Sequence, residues 1–296
     1  MKILITGGTG LIGRALCARL GSHDVTVFSR VPSRVTELCG NDVRSMSSLD
    51  DWIPSASFDA VINLAGEPIV GRRWSEARKN MLRDSRIGVT AELLEKMQSA
   101  DVRPQTFISG SAIGLYGDCG SVEIDESSPA ASDFGATLCR DWEQAALKAA
   151  DMNIRTCAIR TGLVLSADGG VLKQMLLPFR LGLGSRIGSG SQWMSWIHIQ
   201  DQVGAILHLL HNDSCEGAYN LTAPEPVTNS IFTKQLASAV NRPSFLVTPK
   251  WALDLLLGES AMLLTGGQRV LPSRLLESGY RFRYPELRQV LNDLLN

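Results

Sequence analysis

Ile3, Leu4 and Ile5 form an apolar run between Lys2 and Thr6 with no helical period, which predicts a short buried strand over Lys2–Thr6. Beyond it Gly7, Gly10 and Gly13 punctuate a turn, and Arg14–Leu20 has helical spacing. Val25–Ser29 alternates apolar and polar positions and predicts a second strand; Phe58–Leu64 predicts a third. From Trp74 to Ala100 the apolar residues Trp74, Met81, Ile87, Leu93, Leu94 and Met97 recur among charges, as in a long helix that stops short of Pro104. Thr106–Ser109 starts the next strand, Phe134–Ala150 the next helix, with Leu138 and Trp142 on one face, and Ile154–Leu165 a further strand. Strands alternating with helices predict an α/β protein built on a Rossmann-type, doubly wound parallel sheet.

The pattern loosens after Ser166. Leu172–Phe179 is helical, Arg180–Gly190 is a glycine-rich loop, Ser191–Ile199 alternates, and a helix runs from Asp201 to His211. Shorter segments follow at Ala218–Leu221, Ile231–Val240 and Trp251–Leu257. This division predicts a nucleotide-binding domain over residues 1–165 and a smaller C-terminal substrate lobe over 166–296, partly interleaved with the first, with a cleft between them.

Composition narrows the picture. Hydrophobic residues make up 44% of 296 and charged residues 20%, enough apolar surface for a large core and too little charge for a disordered chain. The formal net charge of −1 and the lack of a basic block argue against nucleic acid, and against an anionic membrane, as the main partner. The six cysteines are scattered without a paired CxxC spacing, which predicts free thiols, no zinc site and a reducing compartment. No leader precedes the first strand and no apolar run reaches the length of a membrane span, so the expected location is the cytoplasm.

The glycines carry the first chemistry. In a strand–turn–helix that grips a dinucleotide, Gly7 makes the tight turn, Gly10 admits a pyrophosphate to the backbone, and Gly13 lets helix and sheet pack closely. The phosphates then meet free N–H groups at the positive end of the helix. An acidic residue at the end of the second strand would select NAD through its ribose hydroxyls. Here Arg30 stands there beside Ser29, a guanidinium suited to a 2′-phosphate, and the expected cofactor is NADP(H). Ala65 and Gly66 end the third strand with small residues that let backbone lie against a ribose or nicotinamide. Ser109, Ser111 and Tyr116 lie at or just past the end of the next predicted strand, beside the crevice, and Arg86 is within reach of a phosphate or substrate. In the second lobe Gln192, Ser195 and Trp196 fall on a loop read as cleft-facing, and His198 is a candidate general acid with Asp201 near it.

With TGGTGLIG at Thr6–Gly13, SR at Ser29–Arg30, NLAGEPI at Asn63–Ile69, SGSAIGLYGD at Ser109–Asp118, WIHIQD at Trp196–Asp201 and GGQRVLPSRL at Gly266–Leu275, the chain resembles the extended short-chain dehydrogenase/reductases. It is most similar to their atypical epimerase-family branch, found in bacteria, mitochondria and plastids, some members of which carry the label of cell-division inhibitors. The resemblance implies phosphate contacts at Thr9, Leu11 and Ile12, a 2′-phosphate at Ser29 and Arg30, ribose contacts at Leu64 and Ala65, and a pocket closed by Arg86 and Val164. Active members of the wider superfamily use a Tyr acid/base with a Lys four residues on. None of Tyr116, Tyr219, Tyr280 and Tyr284 has that partner, and the helix that should carry the pair presents Phe134 and Leu138. The resulting expectation is an NADP(H)-dependent oxidoreductase or epimerase of a small polar or nucleotide-linked substrate, with Ser111 and Tyr116 as substitute catalytic groups. The alternative is a catalytically silent NADP(H) sensor or interaction protein linked to cell division. A homodimer through the Trp74–Ala100 and Phe134–Ala150 helices is expected by analogy with extended relatives.

Overall fold

Ile3, Leu4 and Ile5 are fully buried because β1 (Lys2–Thr6) runs through the middle of a sheet covered on both faces. The computed structural model describes residues 1–295. The remaining strands of that sheet are β2 (Asp24–Phe28), β3 (Arg44–Met46), β4 (Ala60–Asn63), β5 (Thr106–Ala112), β6 (Arg155–Thr161) and β7 (Gly217–Leu221). All pairings are parallel, in the order β7-β6-β5-β4-β1-β2-β3. The order reverses between β1 and β4, and the gap beyond their carboxyl ends is the place where such a sheet holds a ligand.

Successive side chains of a strand face opposite ways, and β1 shows the consequence. Ile3 and Ile5 join a core with α1 (Leu11–Cys17), α2 (Ser33–Cys39) and, from the second half of the chain, α7 (Ile199–His211). Leu4 joins the opposite core, with Leu93 and Met97 of α4 (Val89–Ser99) and Ala146 of α5 (Phe134–Leu147).

Several elements differ from the sequence reading, each for a local reason. The first helix starts at Leu11 and takes Gly13 inside it. The long helix expected from Trp74 begins after Ser75, whose hydroxyl caps α3 (Glu76–Arg83), and a π turn at Asp84–Gly88 separates it from α4. The strand from Thr106 continues to Ala112. The strand expected over Ile154–Leu165 breaks at Gly162, where a Cβ would lie 2.6 Å from the Ser195 carbonyl. Its continuation, Leu163–Leu165, leaves the sheet and pairs with Trp196–His198.

That departure begins the second lobe. Its core joins Leu172, Leu176 and Phe179 of α6 (Gly170–Arg180), Trp196, Phe232 and Leu236 of α8 (Asn229–Ala239), and Val290 and Leu291 of the last helix, Leu287–Leu295. Ser185–Ile187 pairs with Leu246–Thr248, and α9 (Lys250–Leu257) follows directly. Between these pieces the chain returns to the sheet through α7 and β7, so residues 199–221 belong structurally to the nucleotide-binding body although they lie past residue 165. All six cysteines are free thiols.

Asp201 fastens the C-terminal segment to α7. Its buried carboxylate accepts from the Tyr280 hydroxyl at 3.0 Å and from the amides of Arg283 and Tyr284 at 2.8 and 2.9 Å. Asp201→Ala strands those donors without acceptors, and we expect it to lower the unfolding free energy by about 2–4 kcal/mol, read as a shift in urea midpoint at unchanged slope.

Candidate functional site

The turn after β1 is a cradle made of backbone. Gly7 has φ +68°, and a Cβ there would sit 2.5 Å from the Leu64 carbonyl oxygen. A Cβ on Gly13 would lie 2.4 Å from the Gly7 oxygen, and one on Gly10 would lie 3.2 Å from it. Leu64 and Ala65 therefore lie directly on the glycine turn. α1 opens at Gly10 with no side-chain cap and no acidic residue in its first turn, so the positive end of its dipole, at Leu11 and Ile12 beside Thr9, is not neutralised by the chain itself. The start of α6 covers the turn: Gly169 and Gly170 lie against the Leu11 side chain, and the Val164 carbonyl is next to Gly170.

Arg30 stands past the end of β2 with its side chain 86% exposed, and its guanidinium pairs with Glu67 at 3.0 Å. The hydrogen bond from Arg30, with the charges of Arg30 and Arg78, holds the Glu67 carboxyl below its ordinary range. Ser29 accepts a hydrogen bond from the Val31 amide, which turns the chain there. Arg86 is half-buried and braces the loop after β4, donating to the carbonyls of Leu82 and Glu67 at 3.2 and 2.9 Å, with Gly66 lying on its guanidinium.

Two polar networks lie behind this rim. In the first, Asn63 at the end of β4 accepts from Thr6 at 2.6 Å and donates to Thr90 at 2.9 Å and Ser109 at 3.4 Å. Ser109 is fully buried in that knot, which corrects its reading as a cofactor contact: its hydroxyl ties β5 to β4. In the second, Ser111 of β5 donates to Glu143 of α5 at 2.6 Å. Arg160 of β6 grips the same carboxylate with two bonds, each 2.9 Å, and donates to the Tyr116 hydroxyl at 2.8 Å; Tyr116 in turn donates to Asn220 at 2.7 Å.

This arrangement removes Tyr116 as a substitute acid/base. Its ring is 2% exposed, its hydroxyl is bonded on both sides, and burial pushes the phenol pKa above its ordinary value. The position of the usual tyrosine is held by Phe134, edge-on to Trp74 with ring centres 5.0 Å apart, and that of the lysine by buried Leu138. Cys139 beside them is no nucleophile, since burial pushes its thiol up to about 12.

The residues read as substrate-facing in the second lobe are also corrected. Ser195 donates to the Gln268 carbonyl at 2.7 Å and accepts from the Val270 amide at 2.9 Å. Trp196 is fully buried in the core of the lobe. His198, fully buried, caps α7 by accepting from the Gln200 amide, lies 3.2 Å from Asp293, and is held toward its neutral form by burial. The alternation along Ser191–Ile199 covers two short strands, half-buried Trp193–Met194 and buried Trp196–His198, and a buried tryptophan gives the same pattern as a cleft-facing one. Gln192 is half-buried and spans the carbonyls of Ile187 and Leu264.

Sequence reasoning missed Asn63, Glu67 and Glu143. Asn63 and Glu67 lie in the NLAGEPI stretch without a role read for them, and Glu143 left a signal of its own: it falls one turn after Cys139 on the apolar side of α5, where a carboxylate needs a buried partner.

Residues 3–222 match the NAD dependent epimerase/dehydratase family. The chain belongs to that family. Residues 248–294 match a second family, described only as a domain of unknown function (DUF1731). Among relatives of this epimerase family, the chain is 38% identical to the Arabidopsis thaliana epimerase family protein SDR39U1 homolog, chloroplastic, over 100% of this chain and 87% of that one. It is 37% identical to the Homo sapiens protein SDR39U1 over the whole of both. The crystal structure of human SDR39U1 (isoform 2) with NADPH superposes with a TM-score of 0.90 at 34% identity, covering 100% of this chain and 99% of that one. A UDP-galactose 4-epimerase, 19% identical, shares the fold at a TM-score of 0.74, covering 99% of this chain and 98% of that one.

The geometry assigns Tyr116 to structure. Tyr116→Phe should lower the unfolding free energy by about 1–3 kcal/mol, because Arg160 and Asn220 each lose a buried partner, and should leave the affinity for a pyridine nucleotide unchanged in a fluorescence titration.

Proposed function

We propose that this epimerase-family protein is an NADP(H)-dependent oxidoreductase of a small polar, hydroxyl- or carbonyl-bearing substrate. The observation that carries the cofactor is the backbone cradle at Gly7–Gly13 together with the exposed Arg30: the turn has no room for side chains, the helix end above it is uncapped, and a cation stands where a 2′-phosphate would meet it. The NADPH bound to human SDR39U1, over a shared fold, supports the same reading. Thr9, Leu11 and Ile12 would hold the diphosphate, Ser29 and Arg30 the 2′-phosphate, and Leu64, Ala65 and Val164 the nucleoside. Once bound, the nicotinamide supplies or accepts a hydride.

A hydride moves only if a proton moves at the same oxygen, and the Ser111–Glu143 pair takes the place of Tyr and Lys in this reading. The Ser111 proton is committed to Glu143, so the Ser111 oxygen offers lone pairs to a substrate hydroxyl. In oxidation the substrate proton passes to Ser111 as the Ser111 proton passes to Glu143; reduction runs the same path backwards. Arg160 positions the carboxylate from behind. The replacement of the usual pair by Phe134 and Leu138 favours a second reading, a cofactor binder without hydride chemistry.

One measurement tests the cofactor that both readings share, and a second separates them. Arg30→Ala should weaken NADPH roughly 10- to 100-fold and leave NADH unchanged, the loss of one or two charge-assisted hydrogen bonds; equal NADPH and NADH affinities in the parent protein would refute the cofactor assignment. With NADPH bound, wild type is screened against carbonyl compounds and nucleotide sugars. The oxidoreductase reading expects turnover that falls at least about 100-fold in Glu143→Gln with NADPH affinity retained, the loss general acid–base catalysis implies. Tight NADPH binding with no turnover on the panel, alongside a co-purifying protein partner, favours the silent binder.

A further inference from the structure

Arg30, the cation placed for a 2′-phosphate, is already engaged. One terminal nitrogen of its guanidinium lies 3.0 Å from Glu67 Oε1, and among the described residues Glu67 is the only hydrogen-bond partner of that side chain. The two partners are held very differently. The Arg30 side chain is 86% exposed, that of Glu67 23%. The Glu67 amide donates to the Ser85 hydroxyl at 3.1 Å, and the Glu67 carbonyl accepts from Arg86 at 2.9 Å, so the backbone at 67 is fixed from both sides. The second carboxylate oxygen lies 3.7 Å from Arg78, whose largely buried side chain also donates to the Pro68 carbonyl. Glu67 is thus an anchored anion between one buried and one exposed cation, and Arg30 is the partner free to leave.

The chemistry of an exchange favours the phosphate. Arg30 gives Glu67 a single hydrogen bond in an exposed pair, the kind that contributes little. A phosphate dianion can take the same guanidinium through two parallel bonds. When Arg30 leaves, Glu67 keeps Arg78, so neither charge is stranded and the carboxylate stays neutralised from behind. A dinucleotide with free ribose hydroxyls offers Arg30 no anion in return and leaves the pair closed. The pair therefore opposes the binding of a 2′-phosphorylated cofactor alone, by the strength of the contact that must open.

We propose that Glu67 is a specificity-determining residue of the cofactor site: it occupies Arg30 in the free protein, yields it to the 2′-phosphate of NADP(H), and so limits the preference for NADP(H) over NAD(H). The inference rests on the NADP(H) reading given above.

The test is fluorescence titration of the full chain with NADPH and with NADH, for the parent, Glu67→Gln, Arg30→Ala and the double variant. Glu67→Gln keeps the shape of the side chain and an acceptor for Arg78, and its NADH affinity is the control for an intact site. Expected is NADPH binding roughly two- to fivefold tighter in Glu67→Gln, the factor an exposed ion pair implies, with NADH unchanged. In the Arg30→Ala background the same substitution should bring no gain, because no guanidinium is released. Unchanged or weaker NADPH binding in Glu67→Gln overturns the proposal, since Glu67 is then indifferent to the phosphate or orients Arg30 for it. An equal gain with NADH, or an equal gain in the Arg30→Ala background, also overturns it, since the carboxylate would then act on the cofactor without Arg30. A parent that binds NADPH and NADH alike refutes the cofactor reading itself. A parent that prefers NADPH and gains nothing from Glu67→Gln leaves that reading standing and removes this one.

Discussion

The contact between Gly7 and the Leu64 carbonyl sets the geometry of everything around it. The carboxyl ends of β1 and β4 are drawn together by the Thr6–Asn63 hydrogen bond at 2.6 Å, and at that separation a single added methyl at residue 7 would overlap the neighbouring backbone. Such an approach is possible only for a residue with no Cβ and positive φ. It has two consequences. The helix after the turn starts close enough to the sheet to aim its unneutralised end at the crevice, and Leu64–Gly66 is pressed into the wall of the same crevice. Asn63 holds the position because its amide and carbonyl are satisfied at once, by Thr6 on one strand and by Thr90 and Ser109 behind it. A buried polar side chain with partners on three elements fixes one arrangement of those elements and penalises the others.

The same principle governs the second polar network. Glu143 and Arg160 are both nearly buried, and a buried ion pair repays the loss of water only when its remaining donors and acceptors are used. Here they are: Arg160 also donates to Tyr116 and to the Glu126 carbonyl, and Glu143 also accepts from Ser111. Phe134 and buried Leu138 bring no charge to α5, and the ionic group of that helix facing β6 is Glu143. Ser111 is the member of this network that stands near the carboxyl end of β5, and its hydroxyl is tied to the buried carboxylate.

The cradle was legible from residues because it is written in missing side chains: glycines at fixed offsets after an apolar run suit a bound phosphate and little else. The sheet was legible for a similar reason, since fully buried parallel strands read as short apolar runs. Tyr116, Ser195, Trp196 and His198 were not, because an aromatic or polar residue near a strand end looks the same whether it faces a ligand or the interior. Partners decide between the two, and those partners lie far along the chain: Asn220 for Tyr116, Gln268 and Val270 for Ser195, Asp293 for His198. The break at Gly162 was hidden for the same reason, because the carbonyl that forbids a side chain there belongs to Ser195.

Whole-chain averages conceal a different kind of information. A net charge of −1 is the sum of 29 basic and 30 acidic residues, and such a sum says nothing about where each sign is placed. At physiological ionic strength a surface charge is felt over about 8–10 Å, so what matters to an approaching partner is the local balance on a patch of that size. The nucleotide cradle escapes that averaging because it is a local property of the sequence, set by glycines within seven residues of one another.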